Sequence, residues 1–185
     1  MCPVRQISWD CRKSASRGRP SCRTSVDGVD FRIAEPSPFS RDWFSHKFRA
    51  AALRYEIVLS VGEPVEICSA HGPFKPGKFT DLDIARDKLA LMLDETGEQS
   101  YADRGYVEPQ GYFVTPRDVD SNPDERRFLK LVRARHETVN KRVKQFQCLS
   151  MPFRHDRTLH ADCFHAVLNL TQLSLEDAPL FRIYD

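Results

Sequence analysis

The chain has 185 residues, 41% of them hydrophobic, enough for the core of one ordinary domain. A net charge of +2, from 28 Lys and Arg against 26 Asp and Glu, selects no class of partner by itself. No apolar run is long enough to cross a bilayer, and Met1 to Arg19 lacks the apolar segment of a signal peptide. The expectation is therefore no membrane and a cytosolic or nuclear setting.

Residues 1–21 are polar, basic and rich in Ser, Arg, Cys and Pro, without periodicity, which predicts a disordered leader ahead of one domain over 22–185. Cys22 to Asp27 predicts a strand ended by Gly28, with Phe31-Arg32-Ile33 extending it or beginning a return, before Pro36 and Pro38 break the chain. Arg54 to Val61 alternates, with Tyr55, Ile57, Leu59 and Val61 on one side. A turn at Glu63-Pro64 and a strand over Val65 to Ser69 complete a hairpin. After a loop over 72–77, Thr80 caps a helix that carries Asp81 and Asp83 in its first turn, where the helix dipole favours acids. Leu82, Ala85, Leu89 and Met92 form its apolar face, and Gly97 stops it. Gln99 to Ala102 and Tyr112 to Val114 predict two further strands. From about Pro123 to Cys148 a long helix aligns Phe128, Val132, Val139, Val143 and Phe146, and a last helix over about Leu159 to Leu175 aligns Leu159, Cys163, Val167 and Leu170. This order predicts an α/β domain, a mixed central sheet flanked by helices.

Six cysteines, Cys2, Cys11, Cys22, Cys68, Cys148 and Cys163, are irregularly spaced and form no CxxC pair, the usage of reduced thiols in an intracellular protein. Charge is more informative locally. Residues 124–157 carry Arg126, Arg127, Lys130, Arg133, Arg135, Lys141, Arg142, Lys144, Arg154 and Arg157 against few acids, a footprint for nucleic acid or else a solvated helix face.

Three acids stand out: Asp27 in Ser25-Val26-Asp27-Gly28, Asp103 in Tyr101-Ala102-Asp103-Arg104-Gly105-Tyr106, and Glu137 in Arg135-His136-Glu137-Thr138-Val139-Asn140. The two Asp segments read as strand ends. Glu137 lies about 180° from Phe128 at about 100° per residue, on the face with Arg126, Lys130, Arg133, Lys141 and Lys144. Brought together, these acids make an oxygen-rich pocket for hard divalent cations. Two Mg²⁺ ions (or Mn²⁺) in such a pocket suit phosphodiester cleavage, with the neighbouring cations Lys130, Arg133, Lys141 and Lys144 holding phosphates.

At these residues the chain resembles a known family, the catalytic domain of DDE-type transposases of the PIF/Harbinger-like group. The resemblance rests on an ordered set of pieces covering roughly 22–181. They are Val26-Asp27-Gly28 with Asp30 to Ile33, Trp43 to Phe48, Gly72-Pro73-Phe74 with Gly77 to Asp81, Ala102 to Tyr106, Arg133 to Asn140 with Lys144, and Phe153-Arg154-His155. It implies an RNase H-like fold and a two-metal DNA endonuclease and strand transferase, with the catalytic and metal-binding roles on Asp27, Asp103 and Glu137. The separation of 34 positions from Asp103 to Glu137 fits the wider pattern. It further implies double-stranded DNA as substrate, action in the nucleus, and a Myb-like accessory protein; homo-oligomerisation is left open. Family members usually carry a DNA-binding helical region ahead of the first Asp. Only about two dozen unrelated-looking residues precede it here, so the expectation is a truncated or partial copy. The competing reading is a decayed or domesticated domain that binds DNA or protein without catalysis.

Each piece also has a plain structural reading. Asp27-Gly28 and Asp103 suit turns, and Glu137 could pair with Lys141 or Arg133 at helical spacing. Asp81 is explained by the helix dipole rather than by metal, and Asp30 as an exposed strand residue. Trp43 is expected to pack, with His46 and Lys47 near DNA. His155, His160, Cys163 and His165 match no common zinc spacing.

Overall fold

The computed structural model describes residues 7–13, 15 and 18–183. Six strands form one mixed sheet: β1 (Cys22–Arg32), β2 (Phe44–Ser45), β3 (Ala50–Ser60), β4 (Ile67–Phe74), β5 (Gln99–Tyr101) and β6 (Phe113–Val114). The helices are α1 (Asp81–Asp87), α2 (Leu89–Thr96), α3 (Pro123–Val143), α4 (Gln147–Ser150) and α5 (Leu159–Asp177). β3 lies antiparallel to β1 and is paired on its other side by β2 and β4; β5 runs parallel to β1, and β6 parallel to β5. The predicted mixed sheet flanked by helices is thus present. Among the described residues, no helix is long and apolar enough to cross a membrane.

Alternation along β1 and β3 gives the sheet two different faces. Val29, Phe31, Tyr55, Ile57 and Leu59 turn to one side and pack with Val139 and Val143 of α3, Leu149 of α4, and Phe164 and Val167 of α5. Here the Tyr55 ring stacks on Phe164 at 3.8 Å between centroids. Val26 and Val58 turn to the other side, against Ala85 of α1 and Leu89 and Leu93 of α2. A third cluster joins Tyr101 and Val114 to Phe128, Leu129 and Val132 near the start of α3.

The local signals for the helix ends are realised. Thr80 and Asp83 form a reciprocal capping box on α1, Gly97 closes α2 at φ 63°, and Asn122 accepts from the backbone N–H groups of Asp124 and Glu125 to start α3. Three boundaries differ from expectation. β1 does not end at Gly28 but continues to Arg32, its pairing with β3 unbroken from Thr24↔Ser60 to Arg32↔Ala52. The helix expected over 80–97 is broken at Lys88, whose φ of −137° leaves the helical region. The long helix ends at Val143 instead of Cys148, and Phe146 reaches the core from a turn instead.

Of the expected leader, residues 7–13, 15 and 18–21 are described, and 1–6, 14, 16 and 17 lie outside the described residues. The described part is packed. Trp9 and Cys11 lie against the α1–α2 cluster, Arg12 pairs with Glu98 at 2.7 Å, and the Gly62 N–H bonds the Lys13 carbonyl at 2.9 Å. On the outer strand β4, the Ile67 N–H donates to Gln172 Oε1 of α5 at 2.7 Å, and the Cys11 thiol reaches the Ile67 carbonyl at 3.7 Å.

Candidate functional site

β5 pairs with β1 only as far as Ser25↔Tyr101, whereas β1 runs on to Arg32. Among the described residues, no strand lies beside that edge of β1 beyond Ser25, and only Phe153 meets it, bonding the Arg32 carbonyl at 2.9 Å. The chain leaving β5 folds there into a short 3₁₀ turn, Arg104–Tyr106, capped by Asp103, whose Oδ1 accepts from the Gly105 N–H at 2.7 Å. α3 crosses the same region and is fixed to β1 by the buried pair Ser25 Oγ–His136 Nε2 at 2.8 Å. Burial holds the His136 imidazole down at a pKa of about 4, so the ring is neutral at physiological pH.

In this notch Asp27, Asp103 and Glu137 line one cavity of about 50 Å³, together with Ser25, Tyr101, Arg133 and His136. Asp27 is half-buried, and Asn140, one turn along α3 from Glu137, donates to its Oδ2 at 3.0 Å. Burial first, then the charge of Asp103, pushes the Asp27 carboxyl above its ordinary range, with Lys47 and the Asn140 bond opposing. Glu137 is exposed and pairs with neither Lys141 nor Arg133 among the described residues. The helical ion pair that would explain it structurally is not made.

The expected phosphate-binding cations divide. Arg133 lines the cavity. Lys144 is half-buried, its Nζ 5.6 Å from the Phe31 ring centre and 5.5 Å from that of Phe48, and its pKa is lowered by burial and then by Lys47. Lys130 and Lys141 are exposed and lie outside the cavity lining. Arg135, counted in the basic stripe, turns inward at 2% exposure and donates to the Val61 carbonyl (3.1 Å), the Phe181 carbonyl (2.9 Å) and Glu63. It braces the fold.

Behind the notch, on the α1 side of the sheet, lies a second polar group that sequence reading missed. Asp30, expected to be exposed, is 2% exposed. It accepts from Arg54 at 2.6 and 3.1 Å and from Ser45 at 2.6 Å, because the register sets Arg54 directly opposite it. Arg54 also pairs with Asp81 Oδ1 at 3.2 Å. Glu56, opposite Gly28, is 2% exposed, and its pKa is pushed up to about 8 by burial and then by the charge of Asp81. Trp43 packs on the core with Lys75 and Arg157 against its ring at 4.6 and 5.1 Å. His160 is a fully buried core residue bonded to the Tyr55 hydroxyl at 2.8 Å.

Among the described residues, no three His, Cys, Asp or Glu side chains stand gathered as a ready-made cage for a metal ion. The notch nevertheless has the donor chemistry of a hard cation: oxygen ligands, with an Asp27 carboxylate disfavoured by burial and by Asp103 that a cation would relieve. No protein-family model, no curated protein and no solved structure matches this chain.

Proposed function

We propose that this chain is a metal-dependent DNA endonuclease and strand transferase of the DDE type on an RNase H-like fold, with Asp27, Asp103 and Glu137 as its acids. The observation that carries this reading is the lining of one small cavity by carboxylates from a central strand, a strand-end turn and a long basic helix. A mixed sheet with the first acid on its middle strand supports the fold assignment. Asp27, Asp103 and Glu137 would hold Mg²⁺ or Mn²⁺, two ions on this reading. When bound, such ions turn a water or a DNA 3′-hydroxyl into a stronger nucleophile and stabilise the leaving oxygen. Asn140 fixes the orientation of Asp27 through its amide. Arg133 at the cavity and Lys144 beside it supply positive charge for the scissile strand's phosphates. On this reading the substrate is double-stranded DNA and the place of action the nucleus, with a Myb-like accessory protein and self-association as further proposals.

Nicking of supercoiled plasmid with Mg²⁺, and its loss with chelator, tests the reading. A folded Asp103→Ala protein is expected to lose at least about 100-fold in nicking rate, as removal of a direct ligand should cost no less than loss of its supporting shell. Undiminished nicking by that variant would refute the assignment.

A second reading, a DNA- or protein-binding domain without catalysis, is favoured by one observation: the described acids are not drawn into a ready-made cage. It predicts plasmid binding without nicking by the unmodified chain.

A further inference from the structure

We propose that Asp81 is a fourth carboxylate of the cation site, reaching it from the α1 side of the sheet; this rests on the metal-dependent reading above. Asp81 sits where the two strand-end motifs meet. A methyl group added at Gly28, next to Asp27, would overlap Asp81 Oδ1. One added at Gly105 would lie 3.0 Å from Asp103 Oδ1 and 3.8 Å from Asp81 Oδ2. The Asp81 carboxylate thus lies between the Asp27 and Asp103 segments, and the missing side chain of Gly28 leaves it room.

Its position in the first turn of α1 does not account for this. The N-terminus of α1 is already capped by Thr80 and Asp83, with 3.2 and 2.9 Å bonds in each direction, and Asp81 takes no part in them. Arg54 does not account for it either. Arg54 gives its paired bonds to Asp30 and only one contact, to Oδ1, to Asp81. Oδ2, the oxygen on the Asp103 side, has no hydrogen-bond partner among the described residues.

Two buried polar groups lie in the field of Asp81. The Tyr106 hydroxyl, on a side chain 1% exposed, and Glu56 Oε2, on one 2% exposed, have no partner among the described residues. Buried polar atoms rarely stay unpaired without a functional reason. Tyr106 lies in the fields of Glu56, Asp81, Asp27 and Asp103 together. Asp27, Asp81 and Asp103 lie in one another's fields, with Arg54, Lys47 and Lys144 as counter-charges.

The test is Mn²⁺ affinity of the purified full chain, read from the electron paramagnetic resonance signal of free Mn²⁺, with folding followed by circular dichroism. Wild type is compared with Asp81→Asn, Asp103→Asn and Arg54→Gln. Asp81→Asn is expected to weaken Mn²⁺ binding at least about tenfold, while Arg54→Gln leaves it unweakened. Unchanged Mn²⁺ binding in Asp81→Asn, with binding lost in Asp103→Asn, overturns the role of Asp81 and leaves the nuclease reading standing. Equal weakening in Asp81→Asn and Arg54→Gln also overturns it, since Asp81 would then act only as Arg54's partner. Absence of Mn²⁺ binding by wild type removes both proposals. Should Asp81→Asn fail to fold, Asp81→Ser, which a helix start accepts readily, carries the same comparison.

Discussion

Glu56 carries the clearest acid–base consequence of any single residue. Its carboxyl stays protonated in the fold up to about pH 8, against a value of 4.5 when the chain is open. Between those values the folded state holds a proton that the unfolded state has released, so stability falls as pH rises through the window and is greatest below it. His160 acts in the opposite sense. Burial lowers it from 6.5 to about 4, so the unfolded chain takes up a proton first, and its contribution is full above 6.5 and lost as pH falls toward 4. In chelator-treated protein, Glu56→Gln is expected to abolish most of the fall in melting temperature between pH 5 and pH 8, worth on the order of a few kcal/mol, and to leave the acid-side fall unchanged. A variant with the wild-type alkaline profile would show that Glu56 is ionised in the fold. Of these residues, sequence reading isolated Asp27, Asp103 and Glu137 because each sits in a distinctive short context. Glu56, Asp30 and Arg135 gave no such signal. Their burial is set by partners that only the folded register supplies: Gly28 opposite Glu56, Arg54 opposite Asp30, and the carbonyls of Val61 and Phe181 around Arg135.

At the scale of elements, helix ends were legible and helix continuity was not. Thr80, Gly97 and Pro123 act within one turn of chain, so their chemistry is written locally. The break at Lys88 and the end of α3 at Val143 depend on tertiary packing: Phe146 keeps its place in the core although the helix has stopped. Gly28 is the most instructive case. Asp-Gly favours turns, yet here the glycine lies inside a continuous strand and its missing side chain makes room for Asp81. Gly97, by contrast, is a conformational glycine, left-handed with open space around it. Gly97→Ala is accordingly expected to cost about 1 kcal/mol, through backbone strain alone, measured by denaturant unfolding. A neutral effect would mean that the end of α2 can refold without its left-handed residue.

For the whole molecule, the sheet places its acids where one strand outlasts its neighbour, and the basic side of α3 flanks that notch. Arg126, Arg127, Lys130, Arg133 and Lys141 are exposed along α3, and on the proposed nuclease reading they form a cationic track for the DNA. Binding of duplex DNA is therefore expected to weaken steeply with salt, and Arg133→Ala to reduce the slope of log affinity against log salt by about 1. An unchanged slope would place the phosphate backbone away from the cavity. The opposite border of the sheet has a different fate. At Ile67 the main chain of the outermost strand has already given its amide to a glutamine side chain, and a thiol lies over its carbonyl. A ribbon from another copy, seeking to extend the sheet there, meets no vacant peptide group. Side chains thus cover the start of an edge along which sheets of separate molecules could otherwise join.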